Sequence, residues 1–180
     1  MSHRVWLVRH GEPAEAVGID PGLTALGHMQ ASMLEGRLDR VALRTSPLRR
    51  ARETAAPLEV AWGTIAVVDT RFRELPSSHT YAAARRAWLR VALAGTFADL
   101  GDEQRVWRDA IVAAVRTFAA DTVVTTHAVV INVLTGHCDG IDSVLAWVPA
   151  HCSVTVIEVA ETGSLTLVER GDGRLGGIVV

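Results

Sequence analysis

The chain opens on a short apolar run, Val5-Trp6-Leu7-Val8, that stops at Arg9-His10-Gly11-Glu12-Pro13. A run of this length ended by Gly and Pro predicts a central strand entering a loop, here Glu12 to Pro21. Positions then recur at helical spacing from Leu23 through Leu26, Met29 or Gln30, and Met33 or Leu34 to Leu38. Thr24 is placed to cap that helix, and Gly27 allows a neighbouring element to approach closely. Val41 to Ser46 reads as a second strand, and Pro47 suits the first turn of a helix over Leu48 to Leu58. Ile65 to Asp69 reads as a third strand.

Residues 80–100 are Ala- and Arg-rich and helical, with a break at Gly95. A long amphipathic helix follows over Glu103 to Ala120, with Trp107, Ile111, Ala114, Val115 and Phe118 on one face. Asp121 to Thr126 forms a fourth strand ending at His127, and Ala128 to Leu134 starts a helix that stops near Gly136. Val154–Val159 and Leu165–Val168 flank Glu161-Thr162-Gly163-Ser164 as a hairpin, so the sheet is not wholly parallel. Strands alternating with helices predict an α/β protein, a three-layer α/β/α sandwich on a mostly parallel mixed sheet. With 180 residues and no internal repeat, one domain spanning 1–180 is expected.

Composition narrows the partners. A net charge of -2 gives no overall pull towards nucleic acid or anionic membrane. No stretch approaches the ~18 apolar residues of a membrane span, and no secretory leader pattern precedes the first strand, so a cytoplasmic protein is expected. The two cysteines, Cys138 and Cys152, lack CxxC spacing and are expected to be reduced and buried, with neither a zinc site nor a disulfide framework. All 18 basic residues are Arg, whose planar fork suits carboxylate and phosphate.

Three strand ends carry chemistry. The first presents Arg9 and His10, the second runs into Ser46-Pro47-Leu48-Arg49-Arg50-Ala51, and the fourth ends at Thr125-Thr126-His127. Ligands of open α/β sheets sit beyond the carboxyl ends of the strands. Two imidazoles and two or three guanidiniums converging there favour a dianion such as phosphate. No GxGxxG follows the first strand, which argues against a dinucleotide-binding protein.

These pieces, Arg9-His10-Gly11-Glu12, Leu23-Thr24-Ala25-Leu26-Gly27, Ser46-Pro47-Leu48-Arg49-Arg50-Ala51-Arg52-Glu53-Thr54-Ala55 and Thr126-His127, resemble in order and spacing the histidine phosphatase superfamily, also called the phosphoglycerate mutase-like family. The resemblance implies a phosphoglycerate mutase-like fold and a phosphomonoesterase of histidine acid phosphatase type. His10 would be the nucleophile, forming a phosphohistidine. Arg9 and Arg50 would clamp the phosphoryl oxygens, with His127 as a further donor. Glu12 and Thr24 would lie on the substrate side. No metal or other cofactor is implied. Glu74 is the general acid candidate, with Glu12 as the alternate; the competing reading of Glu74 is an ion pair with Arg71 or Arg73. Here Ala128-Val129 stands where the family often has Gly-Gly. Mutase-type members commonly carry an Asn at the position of Ala16, so its absence argues against mutase activity. Ser153 is read as structural, with pocket lining as the alternative. His28 is read as surface, His3 as solvated, and His137 and His151 as structural.

The segment 77–101 is longer than in minimal phosphohistidine phosphatases. It is expected to form a helical cap whose Arg85, Arg86 or Arg90 hold a second anionic group, with Trp88 on an apolar part of the substrate. The expected substrate is therefore a small phosphorylated molecule; a phosphohistidine phosphoprotein phosphatase, or a mutase-type phosphotransferase, is the alternative.

Overall fold

The computed structural model describes residues 1–15 and 20–175; Ala16 lies outside the described residues. In chain order the elements are β1 (His3–Arg9), α1 (Ala25–Ser32), β2 (Ala42–Thr45), α2 (Arg49–Trp62), β3 (Val67–Val68), α3 (Ala82–Ala94), α4 (Asp102–Arg116), β4 (Thr122–Thr126), α5 (Ala128–Asp139), β5 (Trp147–Pro149), β6 (Val154–Val159), β7 (Leu165–Glu169) and β8 (Gly173–Leu175). Six strands form one mixed sheet in the order β3-β2-β4-β1-β6-β7, and β5 pairs with β8 in a separate ribbon.

Alternation along β1 divides the core. Val5 and Leu7 face one side, with Val124, Ile157 and the buried faces of α4 and α5. Trp6 and Val8 face the other, with Leu43, Val123 and the Leu34, Leu58 and Trp62 side chains of the α1–α2 layer. The result is the expected three-layer α/β/α sandwich. Strands β1, β2 and β4 are mutually parallel neighbours through β4, whereas β6 and β7 run antiparallel.

Register is what builds the site. Arg9 is paired with Thr126, and Thr45 with Thr125, so all three parallel strands end at one level. The residues that follow, His10, Ser46 and His127, therefore emerge side by side. Helices α2 and α5 start immediately beyond, bringing two helix N-termini, each with unpaired N–H groups, to the same edge.

Several expected elements differ in detail. The apolar stripe of the first helix is buried only in part: Leu23, Leu34 and Leu38 are buried, but Leu26, Met29 and Met33 are exposed, and Gly27 and Ala31 take the buried face in their place. The cause is close packing, since a Cβ on Gly27 would stand 2.3 Å from the Glu12 carbonyl oxygen, and one on Gly11 2.5 Å from that of Gly27. The third strand shrinks to Val67–Val68, because Thr70–Phe72 forms a 3-10 turn capped by Asp69. Helix α2 runs on past Leu58 to Trp62 and ends on left-handed Gly63, with Pro57 inside it. Helix α5 passes through Gly136, where the Ile141 carbonyl comes close, and ends at left-handed Gly140. Cys152 is buried, but Cys138 is only partly so. His3 is partly buried and its ring contacts the Val115 carbonyl, rather than being free in solvent. Among the described residues no helix is long and apolar enough to cross a membrane.

Candidate active site

His10 leaves β1 with its backbone N–H still donated to Thr126, 2.9 Å away. Its ring Nδ1 lies 2.8 Å from the Gly11 carbonyl oxygen. A carbonyl only accepts, so Nδ1 carries the proton and Nε2 of the neutral ring is a bare lone pair. Gly11 is fixed in turn by donating its N–H to Thr54 Oγ1, which itself donates to the Arg50 carbonyl. One residue of α2 thus ties the His10 loop to the helix that carries Arg50.

His127 lies 5.3 Å from His10, ring centre to ring centre. Its Nε2 is 2.7 Å from Ser46 Oγ. With the Ser46 hydroxyl donating to Nε2, the single proton of neutral His127 sits on Nδ1, the tautomer that also turns an N–H rather than a lone pair towards the Glu74 carboxylate at 3.7 Å. Burial pushes both imidazoles well below their ordinary pKa of 6.5, and the nearby Arg50 guanidinium adds to this. Both rings are uncharged at neutral pH.

The two arginines frame this pair. Arg50 is buried, and its guanidinium stands 3.8 Å from Glu74 and 3.8 Å from Asp20, too far for a hydrogen bond to either. Arg9 donates one Nη to the Pro149 carbonyl, while its Nε is buried without a hydrogen-bond partner. His127 Nδ1 and Ser153 Oγ are also buried and unpartnered. Buried donors left unmatched are costly; besides the core indoles of Trp107 and Trp147, the ones among the described residues belong to Arg9, His127 and Ser153, all beside His10, which fits an oxyanion there.

Glu74 follows the 3-10 turn and is held between buried Phe72 and Leu75. One carboxylate oxygen accepts the Leu75 N–H at 3.1 Å; the other lies 3.7 Å from His127 Nδ1. The alternative ion pair with Arg71 does not form, because Asp69 takes Arg71 through contacts of 2.9 and 2.6 Å. Glu12 sits on the opposite rim, accepting a hydrogen bond of 2.9 Å from the Thr24 hydroxyl. Thr24 also caps α1 as expected, accepting the Gly27 N–H.

In the 77–101 segment, the Trp88, Leu89 and Leu93 side chains of α3 pack on the core, and His79 stacks on Trp88. Arg85 donates to the Leu75 carbonyl and is close enough to act on the charges of Arg50 and His127. Arg86 and Arg90 are exposed. Among the described residues no cluster of three or more His, Cys, Asp or Glu side chains is arranged to hold a metal ion.

Four residues of the site are not assigned to it by the sequence. Ser46 and Thr54 lie inside a recognised motif that gives them no role of their own. Asp20 reaches Arg50 from the loop. His151, read as structural, has its ring centre 5.8 Å from that of His10. The strand-end position of Ser46 is a usable signal; the other contacts are tertiary and leave none.

The fold and site define an α/β protein built to hold a phosphoryl-like oxyanion between two histidines and two arginines. The sequence model of the histidine phosphatase superfamily (branch 1) matches residues 5–172. The chain belongs to that superfamily. Comparison with curated proteins gives no match. Among solved structures, the chain is similar to YhfR of Bacillus stearothermophilus, with 23% identity, a TM-score of 0.75, and coverage of 94% of this chain and 97% of that one. A mycobacterial glucosyl-3-phosphoglycerate phosphatase is 22% identical with a TM-score of 0.65, over 98% and 100% of the two chains. TTHB049 of Thermus thermophilus is 24% identical with a TM-score of 0.58, over 96% and 99%.

Proposed function

We propose that the protein is a metal-independent phosphatase that hydrolyses a small phosphomonoester through a phosphohistidine on His10. The observation that carries this reading is the bare His10 Nε2, set among donors of Arg9, Arg50 and His127 that the protein itself leaves unmatched. In the first step Nε2 attacks phosphorus, an N–P bond forms, and the ester O–P bond breaks. The departing alkoxide takes a proton from Glu74. In the second step water attacks phosphorus, Glu74 takes its proton, the N–P bond breaks, and inorganic phosphate leaves. Arg9, Arg50 and the Nδ1–H of His127 hold the three phosphoryl oxygens throughout, and such positioning and charge stabilisation supply most of the rate in phosphoryl transfer.

Glu12 and Thr24 form the substrate-side rim. Segment 77–101 is the cap, with Arg85 directed inward to meet a second anionic group. Two things support a small substrate: the reach of Arg85 of α3 to the Leu75 carbonyl, next to Glu74, and the fold likeness to a mycobacterial phosphatase of glucosyl-3-phosphoglycerate, which has been captured with VO3. The test is covalent capture of phosphate on His10 in the presence of a chelator, with a phosphohistidine-bearing protein as the competing substrate.

A further inference from the structure

His151 is not used in this mechanism, yet its ring lies 5.8 Å from that of His10, centre to centre, and is tilted 32° to it. Its backbone is built to put it there. The turn 149–153 is pinned to the end of β1 from both sides: Cys152 N–H donates to the Arg9 carbonyl, and Arg9 N–H donates to that of Ser153. Ala150 N–H donates to Asp172, and Ser153 N–H closes the turn on Ala150. Among the described residues Cys152 is the only non-glycine with positive φ, at 54°. A left-handed conformation in a residue with a Cβ costs on the order of 1–3 kcal/mol and persists where the surroundings over-determine it, often at functional sites. The Cys152 side chain is buried in the α1–α2 core, and the residue before it is left facing the site.

The His151 ring is half-buried, and no described residue hydrogen-bonds to it.

We propose that His151 is a third imidazole of the reaction centre, contacting the phosphoryl group while His10 carries it. The inference rests on the phosphohistidine reading above. Its charge balance explains how a third histidine is tolerated beside two arginines. Burial, and then Arg9, lower the His151 pKa to about 4, against the opposing pull of Glu12. The other groups facing it are His10, whose own ring is neutral, and the Cys152 thiol of its turn, pushed up to about 12 by burial. Arg37 lies on the outer side, donating to the Cys152 carbonyl, and Arg174 of β8 acts on Arg9. In the free enzyme the ring is therefore neutral and adds no repulsion to the cationic site. The neutral ring still carries one N–H, which it donates to the phosphoryl group on His10, and the negative charge of that group raises the His151 midpoint.

The experiment is a histidine-ring NMR titration of the whole protein, free and saturated with vanadate, with His151→Asn to assign the signal. The expected result is a rise of about one to two pH units in the His151 midpoint on vanadate binding. In the same variant, hydrolysis of the trapped phosphoenzyme should slow about tenfold, the effect of one hydrogen bond to a charged group, and its pH dependence should flatten. A thermal midpoint unchanged in His151→Asn separates this from a folding defect. If vanadate perturbs His10 and His127 while the His151 midpoint stays fixed, this inference is overturned and the phosphohistidine reading stands. If vanadate perturbs none of the three, both fall.

Discussion

Ser46 Oγ lies 2.7 Å from His127 Nε2, and by engaging that nitrogen it leaves Nδ1, 3.7 Å from Glu74, as the free nitrogen of the ring. Without it the buried imidazole is free to protonate on Nε2 and turn a lone pair, not a donor, towards the phosphoryl group. Ser46→Ala should lower kcat on an activated aryl phosphate by about tenfold to a hundredfold, in line with the loss of one oxyanion donor's alignment. It should also destabilise the fold by about 1–3 kcal/mol, because a fully buried acceptor loses its partner. An unchanged kcat accompanied by lower stability would assign the contact to folding alone.

The buried histidines also set an acid limit on stability. His10 and His127 are held well below 6.5 by burial and then by Arg50, so the unfolded chain binds protons that the folded chain refuses. Their effect is absent above the unfolded value of about 6.5 and grows as pH falls from there towards the depressed folded values. Each ring weakens folding by up to about 1.4 kcal/mol per pH unit across that window. Urea unfolding at a series of pH values from about 7.5 to about 5 should show this slope, and His10→Gln should make it shallower. A flat profile across the same range would mean that the rings are hydrated and charge freely.

In the proposed mechanism Glu74 protonates the leaving oxygen, and a general acid matters most when that oxygen is a poor leaving group. Glu74→Gln should slow hydrolysis of an alkyl phosphate by roughly a hundredfold, while an activated aryl phosphate loses far less. Equal losses on both would return Glu74 to a structural role and turn attention to Glu12.

Much of this site is legible in the chain itself. The Val-Trp-Leu-Val run, its Gly-Pro stop and the matching strand ends before Ser46 and His127 carry their own signals, because a buried parallel strand must be apolar and must end at a polar exit. The capping of α1 by Thr24 is equally readable. The buried face of α1 is only partly so, since close contact with the Glu12 backbone selects Gly27 there, not a large apolar residue. The β5–β8 ribbon is also invisible in the pattern. It joins segments distant in sequence, and Gly173 lies so close to the Trp147 ring that a Cβ would stand 2.3 Å from it. His151 escapes for a related reason: its position depends on a left-handed Cys152, a conformation that pattern reading reserves for glycine.

The cap reading separates three arginines that look alike in sequence. Arg85 faces the site, whereas Arg86 and Arg90 face solvent. Arg85→Ala should raise KM for the small substrate about tenfold, the cost of a charged hydrogen bond. A simple aryl phosphate should be nearly unaffected, and alanine at Arg86 or Arg90 should change neither. Kinetics across a panel of phosphorylated metabolites would show this, and equal effects from all three arginines would remove the distinction.

The central claim is that His10 Nε2 becomes covalently phosphorylated. The direct measurement is rapid quenching of the enzyme with a labelled phosphomonoester in the presence of chelator, followed by mapping of the label. The account predicts an acid-labile, base-stable phosphoenzyme on His10, turnover undiminished by the chelator and blocked by vanadate, and loss of both label and turnover in His10→Ala. Label that persists in His10→Ala, or turnover that stops in chelator and returns with Mg²⁺, would contradict it.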